Sequence, residues 1–242
     1  MRRRFVVLGR LGAGLTVALV FVSTLVLTWP LTTFGPQAAV ARDVTLAAPS
    51  GTLATGRVAR IAWRAAGWPL ALGPLDWKLA WPGQLALTLG EGSGAWHARG
   101  VWRGLDTHWT LTGGDLDALD LSRLPLALAA RWEGQLDVTL RGTRCLASHG
   151  ALTASDVMLL TPTRVALGHA RLQLECGDGA PRLRLNLEQG QDLALSLTLT
   201  PGANGGQGEL RGRIADSHPL AEWRRRLDPD ARGERIEQRF RW

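Results

Sequence analysis

Tyrosine is absent from this chain of 242 residues, lysine occurs once, at Lys78, and cysteine twice, at Cys145 and Cys176. Each scarcity narrows what the chain can do. A nucleic-acid binder needs a basic stripe interleaved with aromatics. Here Arg2, Arg3, Arg4 and Arg10 flank a single apolar run, and without them the net charge of +7 falls to 24 basic against 21 acidic residues. No basic stripe is left, so nucleic acid is not an expected partner. Arginine almost wholly replaces lysine, as GC-rich codon usage would produce, and arginine counts alone carry no function.

Catalytic and metal-binding patterns are missing as well. The histidines are His97, His108, His149, His169 and His218, and none forms an H-x-x-H or H-E-x-x-H pair. Asp106, Asp115, Asp117 and Asp120 lack the glycine and the distal glutamate of a calcium loop; they read as turn formers. No serine sits in a G-x-S-x-G elbow. Gly9 to Gly14 is glycine-rich but lies inside an apolar run rather than after a strand, which excludes a phosphate loop. The expectation is a non-enzyme with no metal and no cofactor. An active site would need a cleft that collects Asp106, His108 and Asp117.

What is present begins with Leu11–Trp29, 19 residues without a charge. Such a run approaches the roughly 30 Å hydrocarbon thickness of a bilayer. Its arginine flank favours the cytoplasmic side, which sends the bulk of the chain to the opposite side. The expectation is a single-pass inner-membrane protein, N-terminus cytoplasmic and bulk periplasmic. Ala39-Val40-Ala41 imitates a signal-peptidase site, but the run is longer than a signal core and the alanines lie well beyond its end. An uncleaved anchor is therefore expected over a cleaved or twin-arginine signal. Gly14 and Ala18 have the small-xxx-small spacing that lets helices approach closely. Trp29 suits the outer aromatic belt.

Beyond the anchor, alternation with a period of two dominates, as in strands with one buried and one wet face. Leu75, Trp77, Leu79 and Trp81 form one such set; Leu85, Leu87 and Leu89 another; Trp96, Ala98, Gly100 and Trp102 a third. The pattern returns at Leu136–Leu140, Leu172–Leu174, Leu183–Leu187 and Leu193–Leu199. Trp81-Pro82-Gly83, Gly90 to Gly94, Gly113-Gly114, Gly177 to Pro181 and Pro201 to Gly208 punctuate it, with Asn204-Gly205 as a hairpin turn. The predicted fold is mainly β: one transmembrane helix, then a curved antiparallel meander that closes its apolar face as a groove or a two-layer sheet. The expected division is residues 1–31 for the arginine flank and anchor, 32–48 for a linker, 49–216 for a β-rich domain, and 217–242 for a short helix and charged tail. The helix is expected over Pro219 to Leu227 with Ser217 as its cap. Arg224, Arg225 and Arg226 read as its solvated face, and the end of the tail as partly disordered.

Most tryptophans are expected to fill the core between sheet layers, with an aromatic-lined groove as the alternative. The two cysteines allow a disulfide in an oxidising compartment. Their parities conflict: Cys176 shares the face of Leu172 and Leu174, whereas Cys145 opposes Leu136, Val138 and Leu140. A bulge near Gly142 would reconcile them. Otherwise two unpaired thiols remain.

A set of ordered fragments adds a resemblance. Ala48-Pro49-Ser50-Gly51-Thr52-Leu53 is followed by Gly56-Arg57-Val58, and then by Pro69 to Leu79 with Trp77. Later come Leu124-Pro125-Leu126, Trp132-Glu133-Gly134-Gln135-Leu136 and Leu167-Gly168. Together these resemble the type II secretion system protein N family. Ala54 departs from the pattern, standing where tryptophan is common. The resemblance implies structural roles for Gly51, Gly56, Trp77, Gly134 and Gly168. It also implies a subunit of the machine that exports folded proteins across the outer membrane, with other inner-membrane components as partners. The curved sheet is also similar to AsmA-like lipid-transport proteins, which leaves lipid as an alternative partner.

Overall fold

The computed structural model describes residues 24, 27–34, 37–41, 44–65, 68–116, 127–161, 164–202, 205–227 and 233–241. The apolar run, with Gly14 and Ala18, lies almost wholly outside them. Among the described residues, no helix is long and apolar enough to cross a membrane.

Antiparallel strands dominate. A short turn of 3-10 helix, Leu31–Phe34, leads into β1 (Gln37–Ala41), β2 (Val44–Ala47), β3 (Ser50–Gly51), β4 (Thr55–Val58), β5 (Arg60–Ala65), β6 (Trp68–Leu72) and β7 (Leu75–Ala80). The meander continues through β8 (Gln84–Leu89), β9 (Trp96–Arg103), β10 (Asp106–Thr112), β11 (Ala127–Ala129), β12 (Trp132–Arg141) and β13 (Arg144–Thr161). It ends with β14 (Val165–Gly177), β15 (Ala180–Gln189), β16 (Leu193–Gly202), β17 (Gly205–Ile214), helix α1 (Ala221–Leu227) and β18 (Arg235–Arg241). The large sheet runs β3-β4-β7-β8-β9-β10-β12-β13-β14-β15-β16-β17-β18, with β11 paired to β13 at its side. The second sheet is β1-β2-β5-β6.

Continuous hairpins join the two sheets. Ala47 pairs with Arg60 and Ser50 with Arg57, so one register runs through β2–β3 against β4–β5. Ile61 pairs with Leu72 and Val58 with Leu75, so one register also runs through β4–β5 against β6–β7. The strands bend together along a line through Ala48-Pro49, Ala59 and Gly73-Pro74. The prolines there cannot donate to a ladder, and Ala59 instead donates its N–H to Ala47 O at 3.0 Å.

Pairing keeps one apolar face through the large sheet. Leu75 opposes Leu89, Leu87 opposes Ala98, Leu111 opposes Leu136, Leu172 opposes Leu185, Leu187 opposes Leu195 and Leu193 opposes Ile214. This face is covered unevenly. Trp132, Leu136, Leu152, Val157, Leu193 and Ile214 are buried, and β11, Leu220 and Trp223 of the α1 segment pack against that cluster. Toward the opposite strand ends Leu183, Leu197, Leu199 and Leu210 are only half-buried.

Three expectations need correction. The segment 32–48 is not merely a connector: β1 and β2 belong to the four-stranded sheet. The charged tail does not end in disorder, since β18 pairs with β17 from Arg213↔Arg235 to Gln207↔Arg241. Its charges alternate outward while Ile236 faces the core side, which is ordinary strand chemistry. Arg224 is not solvated. It is 5% exposed, donates to Ile214 O and pairs with Asp216.

Candidate functional site

Gly51, Gly56 and Trp77 come together where the chain enters the sheet. Trp77 projects from β7 over Gly56 of β4, its direct cross-strand partner. Its indole N–H donates to Leu53 O at 3.0 Å, tying β7 to the β3–β4 turn. A Cβ on Gly56 would collide with the Trp77 indole and lie 2.7 Å from a Leu31 methyl and 2.8 Å from Thr52 O. Glycine is thus required by this close approach. Leu31 is buried beneath it, 7% exposed.

Two backbone links complete the junction. Ala54 donates its N–H to Leu27 O at 3.0 Å, and Pro30 forms an isolated antiparallel bridge with Thr52. Trp29 donates its indole N–H to Thr33 Oγ1 at 3.0 Å, bracing the 3-10 turn. The last residues of the apolar run are therefore stitched to the sheet itself. Ala54, which departs from the family pattern, contributes backbone on both sides here: its carbonyl accepts the Leu79 N–H at 2.7 Å.

The other motif glycines act within the large sheet. Gly134 pairs with Leu152 at φ +103°, where a Cβ would lie 2.5 Å from Ala151 O. Gly168 sits at an irregularity where β14 pairs Gly168 with Val157 but Ala170 with Ala154. Its φ is +79°, and a side chain would meet Glu188 O and Gln189, so the bulge demands glycine. Gly51, with φ +84°, closes the tight β3–β4 turn.

Cys145 and Cys176 form a disulfide. The irregularity that brings them to one face lies between Thr139 and Leu140, where Thr139 pairs with Ala147 but Leu140 with Cys145. The extra residue is Leu146, in the hairpin that turns at Gly142, so the bulge expected near Gly142 is present. It shifts Cys145 onto the apolar parity of Leu140 and hence of Cys176.

The tryptophans divide. Trp96 and Trp132 meet in a tilted pair with ring centroids 6.5 Å apart, and Trp223 joins them at the core. Trp29, Trp81 and Trp102 are exposed. Filling between two layers therefore accounts for only some of them.

Of the residues considered for catalysis, Asp106 and His108 are described, and each is engaged by a neighbouring side chain. Asp106 takes two hydrogen bonds from Arg141, at 2.7 and 3.1 Å. These bonds, ahead of Coulombic help from Arg141 and His108, hold its carboxyl below the usual range. His108 Nδ1 lies 3.0 Å from Thr139 Oγ1, and Asp117 falls outside the described residues. Among the described residues, no three His, Cys, Asp or Glu side chains are placed to share a metal.

A concavity of about 850 Å³ lies on the polar face of β15–β18, lined by Arg182, Arg184, Arg211, Arg239 and Arg241 with Asn186 and Ser196. Most of its arginines are answered locally. Arg184 pairs with Glu175 at 2.9 Å, and Arg211 and Arg239 both reach Glu209 at 2.8 Å. The Arg239 hydrogen bond is the main reason the Glu209 carboxyl is held low. This is a cross-strand charge ladder, partly neutralised from within.

Helix α1 is seated by a histidine that the sequence left unassigned. His218 Nδ1 accepts the Leu220 N–H at 3.1 Å, a role expected of Ser217, while Nε2 meets Gln189 Oε1 at 3.0 Å. Both bonds together require the neutral ring, and burial pushes its pKa below the usual 6.5, against an upward pull from Asp192. A base with a depressed folded pKa binds fewer protons folded than unfolded just below pH 6.5. Its stability contribution is complete above that value and is lost as the pH falls through the folded pKa. Urea midpoints should fall between about pH 7.5 and 5.5, and His218→Gln should remove much of that slope.

The fold and its junction define an extended antiparallel β protein, organised around a chain-entry joint and a cross-strand disulfide. The family model for type II secretion system (T2SS) protein N matches residues 42–224, a span that includes the hairpins joining the two sheets, the disulfide and the first turn of α1. The chain belongs to that family. No curated protein and no solved structure is detectably similar to it.

Proposed function

We propose that the chain is a non-enzymatic, single-pass inner-membrane component of the type II secretion machinery. Its N-terminus is cytoplasmic, and its β-domain lies in the periplasm and contributes to export of folded proteins across the outer membrane. Membership of the protein N family over residues 42–224 carries this reading. Two features support the topology: the charge-free run behind four arginines, and a disulfide suited to an oxidising compartment. The expected partners are other inner-membrane subunits of the machine.

The test is cross-linking and co-purification of the tagged full-length chain from its own cells, with secretion of a folded substrate measured in a deletion strain. Recovery of secretion subunits and a secretion defect are expected. A chain that recovers none of them, in a strain with normal secretion, would refute the reading.

One observation favours a second reading, a periplasmic module that binds lipid or another hydrophobe. Leu183, Leu197, Leu199 and Leu210 are half-buried on the face that α1 leaves uncovered, and apolar surface of this kind takes ligands. Mass spectrometry of the purified chain separates the two: stoichiometric bound lipid, together with normal secretion in the deletion strain, favours the second.

A further inference from the structure

Among the described residues, seven of the nine exposed large hydrophobic side chains gather in one region; Leu160 and Phe240 lie elsewhere. Leu27, Trp29, Leu53, Trp81, Trp102 and Leu105 all lie at one end of the β3–β10 strands, and Leu146 continues the row at the start of β13. Register fixes this. Trp81 follows β7 and Leu105 links β9 to β10, both at the end marked by the pairs Ala80↔Gln84 and Arg103↔Asp106. Trp102 N–H donates to Gly83 O at 2.9 Å, so the two hairpin ends are neighbours. With strands about 4.8 Å apart, β4 to β10 spans roughly 19 Å. Leu53 belongs to the same end, because Ala54 O accepts from Leu79 beside Trp81. The opposite turns of these strands carry Glu91, Ser93 and Asp115 instead.

We propose that this end is a membrane-contacting rim: Leu53, Trp81, Trp102 and Leu105 enter the headgroup–acyl boundary of a phospholipid bilayer. The placement rests on the single-pass reading above, because the apolar run meets the sheet at this same end through the Leu27–Ala54 and Pro30–Thr52 links. If that run spans the bilayer, a junction tied by these two links leaves the adjoining hairpin tips near the membrane plane. The side chains suit a fluid boundary. Trp81 is 94% exposed and Leu105 82%, on separate protruding turns. Tryptophan is favoured at that depth, with its ring apolar and its N–H wet. Exposed Arg103, between Trp102 and Leu105, and Arg144 on the next hairpin sit where anionic headgroups would attract them.

The experiment uses the full-length chain reconstituted in vesicles of mixed zwitterionic and anionic phospholipid. An environment-sensitive fluorophore is placed on Trp81→Cys, Leu105→Cys or, at the opposite strand ends, Leu160→Cys. Both tip sites are highly exposed, and retention of the native disulfide reports folding of each variant. Quenching by lipid-borne nitroxide should be at least about twofold stronger at positions 81 and 105 than at 160. Equal quenching at all three sites overturns the proposal. So do unquenched tips that cross-link to another subunit in cells, since the rim would then belong to a protein contact. Alkaline carbonate extraction of the same vesicles reads the anchor separately. An extracted chain sinks the single-pass reading, and tip quenching still decides whether the rim touches lipid; a retained chain with unquenched tips sinks the rim alone.

Discussion

Leu152→Ala is expected to destabilise the β-domain by about 3–5 kcal/mol, the upper range for a large-to-small change in a closed core. Leu152 is 0% exposed. It stands mid-sheet between Gly134 and Leu172, within the cluster that β11 and the α1 segment cover. Its β12 neighbour Gly134 has no side chain to swing into the vacancy, so collapse is limited and a cavity persists. Leu199→Ala, on the same face but near the uncovered strand ends opposite Gly208, should cost under about 1.5 kcal/mol, because that side chain is only partly buried and the space it leaves is open to solvent. Urea unfolding of both variants, followed by tryptophan fluorescence, compares them directly. Equal costs would mean that the apolar face is covered evenly, and the hydrophobe-binding reading would lose its one supporting observation. A ratio of two or more would confirm that the sheet has a sealed end and an open end.

Much of the meander was legible because its period is two and its turns are rich in glycine and proline. From Leu75 to Leu199 the inward residues are the ones that alternation marks, and pairs such as Leu185↔Leu197 follow from it. The rest failed for separable physical reasons. In Arg235–Arg241 the period is present, but charge density hides it: Ile236, Gln238 and Phe240 alternate with four outward charges. β1 and β2 are short, with small side chains; β2 is held by pairing with β5 and β1 by pairing with β2, rather than by their own propensity. Arg224 looks like one of three equivalent arginines, yet a seven-residue helix has an inner face, and Ile214 O at the end of β17 needs a donor there. A buried arginine of that kind is specified by a tertiary carbonyl, which no local pattern displays.

The junction was only half legible. The residues Gly51, Gly56 and Trp77 stood out as a motif, while the reason for them, the Leu31–Gly56–Trp77 contact and the Leu27–Ala54 link, depends on register. The tip residues were hidden in plain alternation. Trp81 and Trp102 continue the inward parity of β7 and β9, so the pattern assigned them to the core. At a hairpin end that parity points past the last covering residue, and the same side chain becomes exposed.

Reducing the Cys145–Cys176 bond is the second large effect expected. The bond links positions 31 residues apart, and closing a loop of that length in the unfolded chain corresponds to about 3–4 kcal/mol in the chain-entropy model. For a domain of this size that is a drop of roughly 10 °C in the unfolding midpoint. Reductant should lower the midpoint of the native chain and leave a Cys145→Ala/Cys176→Ala double variant unchanged, which separates the bond from any general effect of the reagent. The site explains why the loss should be felt locally as well. Cys145 is 4% exposed, it follows a bulge that exists only if Leu146 is left unpaired, and its N–H donates to Gly179 O at 2.8 Å. Without the bond, β13 can return to regular pairing by one residue, which would turn Cys145 to the polar face and carry the hairpin at Gly179 away from it. Backbone hydrogen exchange should therefore rise first around residues 144–147 and 176–180. The same pair reports on compartment. With the β-domain on the periplasmic side, thiol-trapping in intact cells should find both cysteines protected; labelling of both in a folded chain would place the domain in a reducing compartment and remove the proposed topology.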